Sequence, residues 1–182
     1  RPPRSTLFPY TTLFRSIHMV PQLTDRGYTL YSASFVASCT AGFGILGKLT
    51  FGSLVDRWDV RHALWLGIGS QVLGQLIMLL LPGYTPFLIG ACFFGFGMGG
   101  VVPMQGAVVG AAFGLASFGR VLGAMRPPMA VIHLAGVPFA GWIYDTTGDY
   151  TAAFTTFIVL YLFAAGAVMG ISVNTKANRV LN

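Results

Sequence analysis

Residues 30–55 and 63–81 read LYSASFVASCTAGFGILGKLTFGSLV and ALWLGIGSQVLGQLIMLLL, and DRWDVRH at 56–62 joins them. A helix that crosses a bilayer needs about 20 mostly apolar residues. Both runs approach or exceed that length, and Lys48 is the one charged residue in them. Strands of a membrane barrel alternate in polarity over about 10 residues. These runs are continuous and about twice as long, and a helix satisfies every backbone group inside lipid. The stretch therefore reads as two membrane helices with a short polar turn between them.

The pattern repeats outward. Leu30–Val55 and Ala63–Leu81 are followed by apolar runs at Pro86–Ala112, Val121–Ile143 and Ala152–Val173. The intervals are short: Asp56–His62, Pro82–Thr85, Phe113–Arg120 and Tyr144–Thr151, with a polar tail from Asn174 to Asn182. Pro82-Gly83 is a strong helix breaker. Only 9% of residues are charged against 54% hydrophobic, and Glu is absent; soluble domains carry about 25% charged residues. The expected fold is an all-α membrane protein of about five transmembrane helices, 30–173, with 17–29 as an external lead-in.

Lys/Arg bias orients the bundle. Arg57, Arg61, Arg120, Lys176 and Arg179 fall on one side, and Arg26 with Asp25, Asp145 and Asp149 on the other. The first side is expected to be cytoplasmic, which puts the 174–182 tail there too. The net charge of +6 does not point to nucleic acid: Arg1, Arg4 and Arg15 lie in the first sixteen residues, and the remaining cations are scattered around helix ends. Cys39 and Cys92 sit in apolar runs and read as small hydrophobes. Paired carboxylates, a Ser/His/Asp cluster, a phosphate-binding loop and paired metal ligands are all missing, so an enzyme, a metal site and a cofactor are not expected.

Gly52-Ser53-Leu54-Val55-Asp56-Arg57-Trp58-Asp59-Val60-Arg61 fits G-x-x-x-D-R-x-x-x-R at a cytoplasmic turn. It resembles the loop signature of the major facilitator superfamily, although Asp59-Val60 stands where that family often carries Gly. In this motif Gly52 is expected to allow close helix approach. Asp56 is expected to accept from a helix N-terminus, and Arg57 and Arg61 to tie the loop down. Gly95–Gly100, Phe118–Gly123 and Gly141–Tyr150 resemble later parts of the same family. The resemblance implies that residues 17–182 correspond to the end of helix 7 through helix 12 of a twelve-helix carrier. Phe51–Asp56 also echoes Phe139–Asp145, as an inverted repeat between helices 8 and 11 implies.

Thr6–Ser16, TLFPYTTLFRS, resembles the conceptual translation of a sequencing adapter. On that reading residues 1–16 are non-native and the chain is a truncated reading frame lacking the N-terminal half of the carrier.

Ionisable groups inside lipid are costly and are functional candidates by default. Lys48 lies eight residues before Asp56, about 12 Å of helix, near the midplane of a core about 30 Å thick. Monocarboxylate and oxalate–formate type carriers, which the chain resembles, place a cation at the matching position, usually Arg. Lys48 then attracts an anionic substrate or balances a proton; the alternative is a structural cation held by backbone carbonyls. Arg126 either lines the cavity or reaches the interface. His133 is a proton relay or a packing residue, and Gln105 a polar cavity group. His18, Asp25, Arg26 and His62 read as solvated at interfaces. The glycines of the third run serve tight packing or, with Pro103, a bending helix.

The resemblance implies a secondary transporter in a bacterial inner membrane, moving a small, anionic solute such as a monocarboxylate by alternating access. A drug or other solute efflux carrier of the same superfamily is one alternative, and a non-transporting membrane scaffold subunit another.

Overall fold

A computed structural model describes residue 20, residues 22–147 and residues 151–169 of the chain, and its regular structure there is entirely α-helical. The adapter-like segment 1–16 and the tail 174–182 lie outside the described residues.

Helix α1 (Leu30–Arg57) starts at Thr29, whose Oγ1 accepts from the Ser32 N–H at 3.2 Å. It ends where the Trp58 N–H reaches the Leu54 carbonyl at 2.8 Å. Asp59 caps helix α2 (Val60–Leu80), its Oδ1 accepting from the Arg61 N–H at 2.9 Å. Past Pro82, Gly83 takes φ +111° and admits helix α3 (Tyr84–Gly99). Helix α4 (Val101–Thr147) follows after Gly100, and helix α5 (Thr151–Met169) completes the described bundle. Among the described residues, three stretches are long and apolar enough to cross a membrane: Leu30–Arg57, Val60–Leu80 and Tyr84–Ile132.

Two features depart from the span boundaries read in the sequence. The run 86–112 is divided at Gly100 between α3 and α4. The interval expected at Phe113–Arg120 is helical except at Gly114, which holds φ +72° and ψ +169°. That backbone region is essentially open to glycine alone, so one residue makes the break that charge patterning spread over eight. The arms 101–113 and 115–147 fold back on each other there: a methyl on Gly106 would stand 3.8 Å from the Phe118 ring.

Helix α3 is wedged between α1 and α2, and these are the most extensive contacts among the described helices. Its two sides carry separate glycine stripes. Gly95 and Gly99 face α1, where an added methyl would run into the carbonyls of Thr40 and Gly44 respectively. Gly90 and Gly97 face α2; a methyl on Gly74 opposite would lie 2.6 Å from the Phe94 nitrogen. Lipid is as apolar as leucine, so helices associate through van der Waals fit, and small residues let backbones touch. The packing reading of the third run's glycines thus has a concrete geometry.

Leu23, Ala33, Val36, Met78, Phe87, Ala91 and Phe94 are buried together toward the end where α1 and α3 start. Phe51, Ala63 and Met104 form a second cluster toward the end where α1 stops.

Candidate functional site

Lys48 sits on α1 directly after Gly47, a residue of the α1–α3 seam. Its backbone nitrogen lies 2.9 Å from where a Cβ on Gly99 would stand, while the residue as a whole is exposed. Its side chain makes no hydrogen bond or ion pair with any described residue. The seam therefore sets the depth and orientation of the backbone and leaves the ammonium outside the packing.

Gln105 is half-buried in the first arm of α4, and its Nε2 donates to Met129 Sδ across the fold-back at 3.7 Å. Arg126 is exposed one turn before Met129. Gln105 and Arg126 are thus brought to neighbouring turns of the two arms. Helix α4 also packs on α1, but no hydrogen bond or ion pair joins Lys48 to either residue among those described. His133 lies in the second arm, and its side chain falls outside the described residues.

At the polar turn the geometry reassigns two expected roles. Asp59, not Asp56, caps α2, because an N-cap must directly precede the first helical residue and α2 begins at Val60. Asp56 and Arg57 are exposed, and Arg61 is half-buried. A methyl on Gly52 would meet nothing within 4 Å among the described residues, so no described helix comes within contact of it; the close approach lies higher on α1, at Gly44 and Gly47.

At the opposite end Asp25 and Arg26 are exposed, as their solvated reading expects, and each also has a contact within the chain. Tyr144 donates its hydroxyl to Asp25 Oδ2 at 3.1 Å, tying the lead-in to the end of α4. The Arg26 guanidinium stands 5.5 Å from the Phe87 ring centroid. Tyr84 donates to the Ser32 carbonyl at 3.1 Å and packs its ring on Tyr28.

Sequence reading overlooked three glutamines. Gln22, Gln71 and Gln75 are all buried. Gln71 and Gln75 stand one turn apart within an apolar span, the pattern that marks a costly and therefore meaningful polar face. Gln71 donates to the Gly67 carbonyl at 3.5 Å. Cys39 and Cys92 are unpaired thiols, and no group of metal-ligating side chains occurs among the described residues.

The family model for the Major Facilitator Superfamily matches residues 6–180, a match that includes most of the adapter-like segment. Monocarboxylate transporter 12 of Rattus norvegicus is 32% identical over 142 residues, covering 76% of this chain and 29% of the rat protein. The Xenopus laevis protein of that name is 33% identical, covering 76% of this chain and 31% of its own length. Monocarboxylate transporter 13 of Rattus norvegicus is 26% identical over 155 residues, covering 84% of this chain and 36% of its own length. The chain thus spans roughly a third of the length of these curated relatives. No solved structure matches it.

Proposed function

Because the chain belongs to the major facilitator superfamily and is an integral membrane protein, we propose that it forms part of a secondary active transporter. The carrier moves a small organic anion of the monocarboxylate type by alternating access. The observation that carries this reading is Lys48: a cation on a membrane helix, exposed, and without a counter-charge among the described residues. An uncompensated ammonium at that depth is expensive, and an anionic solute offsets the cost each time it binds. The names of the relatives support the same substrate class.

In this reading Lys48 supplies the positive potential, Arg126 adds to it from α4, and Gln105 and His133 contribute hydrogen bonds. Gly52, Asp56, Arg57 and Arg61 belong to the cytoplasmic turn. The partner surface is the rest of the same carrier, since sites of this kind lie between the two halves. The relatives are vertebrate proteins, so nothing in them supports a bacterial inner membrane over another membrane.

The test is uptake of a radiolabelled monocarboxylate by a carrier of full family length that contains this sequence. Lys48→Ala should lower kcat/KM by roughly tenfold or more, the loss of one charge-assisted contact, with Lys48→Arg retaining most of it. Unchanged anion uptake by Lys48→Ala removes Lys48 from the role.

A further inference from the structure

The second arm of α4, 115–147, is attached differently at its two ends. At one end it hangs on Gly114, whose φ of +72° and ψ of +169° leave the helical region altogether. A methyl there would meet nothing within 4 Å among the described residues, so no packing locks the torsion. Along its length the arm has little lateral support. Gly119, Gly123 and Gly141 are equally open, and Pro127, Pro128 and Pro138 each remove a backbone donor. Near the hinge the arm touches 101–113 through the Phe118 ring at Gly106 and through the Gln105–Met129 contact, whose thioether is a weak acceptor.

The far end is held by a directional bond. Tyr144 donates its hydroxyl to Asp25 Oδ2 at 3.1 Å, between residues 119 positions apart. The acceptor belongs to the α1–α3 block, because the lead-in that carries it is docked there. Leu23 is fully buried in the cluster with Met78 and Phe87. The Gly27 N–H reaches the Thr24 carbonyl at 2.9 Å and the Tyr28 N–H the Leu23 carbonyl at 3.1 Å, closing a turn around Asp25. Ile143, beside Tyr144, is buried against Phe157 of α5; that apolar contact is non-directional and permits sliding. The hydrogen bond itself is exposed, so water competes for both partners and the bond can open. Tyr144 lies on the order of 30 residues past Gly114, about 45 Å of helix, so a rotation of about 10° at Gly114 displaces it by about 8 Å.

We propose that the Tyr144–Asp25 hydrogen bond is a latch. Closed, it fixes the far end of the second α4 arm on the α1–α3 block. Open, it lets that arm swing about Gly114 and carry Arg126 with it. A consequence for transport rests on reading the chain as part of a carrier; the latch itself does not.

The experiment is pulsed electron–electron distance measurement between spin labels on a carrier of full family length that contains this sequence, with Cys39→Ser and Cys92→Ser and no solute added. Labels at Trp142→Cys and Leu80→Cys, both exposed, report the far end of the arm against α2. In Tyr144→Phe, which keeps the ring and loses the donor, a displaced population should grow about fivefold, the worth of one exposed hydrogen bond. Asp25→Ala should reproduce it, and the double variant should add nothing further. Labels at Gly119→Cys and Leu49→Cys, near the hinge, should barely move. Labels at Tyr31→Cys and Leu80→Cys, within the block, should stay as in the parent. A parent-like Trp142–Leu80 distribution in Tyr144→Phe overturns the latch. An equal displacement at Gly119 overturns the swing, and a matching change within the block shows general loosening and overturns both. Should Asp25→Ala fail to fold, Tyr144→Phe alone decides. Because no solute is present, a chain that carries no monocarboxylate leaves this result untouched.

Discussion

The α1–α2–α3 block and the second arm of α4 are both rich in residues that weaken helices, yet they use them for opposite ends. In the block, Gly47, Gly74, Gly90, Gly95, Gly97 and Gly99 all lie where a methyl would collide with the backbone of a neighbouring helix. In the arm, Gly119, Gly123 and Gly141 face nothing within 4 Å among the described residues, and Pro127, Pro128 and Pro138 interrupt the backbone ladder. Most side chains described along 115–135 are exposed. The first region trades side chains for backbone contact and forms a close-packed unit. The second keeps its length without that contact and is held at its far end by the Tyr144–Asp25 hydrogen bond. The lesson is that a glycine-rich membrane helix is not a single category; the neighbour decides what each glycine does.

Substitutions should separate the two regions sharply. Gly95→Leu drives a side chain into the Thr40 backbone, which cannot yield as a side chain could. It should cost about 3 kcal/mol or more, at or beyond the usual range for overpacking, read as a large drop in the detergent unfolding temperature or loss of folded protein. A parent-like melting curve would break the comparison at its root.

Gly114→Ala tests the hinge between the regions. At φ +72° and ψ +169° an alanine is strained by about 1–3 kcal/mol. The variant should melt earlier without affecting the α1–α3 seam, which cross-linking of cysteines placed at Thr40 and Phe96 would report.

A smaller loss is expected at the polar turn. Asp59→Ala removes the α2 cap and should cost about 1 kcal/mol, with faster amide exchange confined to the first turn of α2. Asp56→Ala should leave that exchange unchanged; the reverse result would return the capping role to Asp56.

The smallest effect carries the opposite sign. Gly123→Ala meets no neighbour and replaces a poor helix former, so it should stabilise by about 0.5–1 kcal/mol. Destabilisation there would reveal a packing partner from elsewhere in the carrier.

Much of this architecture was legible in residue order. The apolar lengths of 30–55 and 63–81 dictated membrane helices, because lipid leaves backbone groups no partner but their own segment. Pro82-Gly83 and the charges at 56–62 marked turns, and the G-x-x-x-D-R motif pointed to the family that the 6–180 match established. The site was only half legible. Lys48 stood out as a charge in an apolar run, but Gln71 and Gln75 passed unnoticed because they carry no formal charge, and burial, which makes them costly, is set by the neighbouring helices.

Sequence by itself, then, determined the solvent, the helical class and the one cation within the first span, since these follow from which groups lipid tolerates, and it pointed to the family through the motif at the polar turn. Tertiary structure alone decided which glycines are seams and which are idle, that Asp59 rather than Asp56 is the cap, and that a single residue breaks α4. It also decided that Gln22 is buried beside Arg26 at the bundle's edge. Those outcomes depend on what stands opposite each residue, and a neighbour on another helix is fixed by packing geometry, which no local pattern encodes.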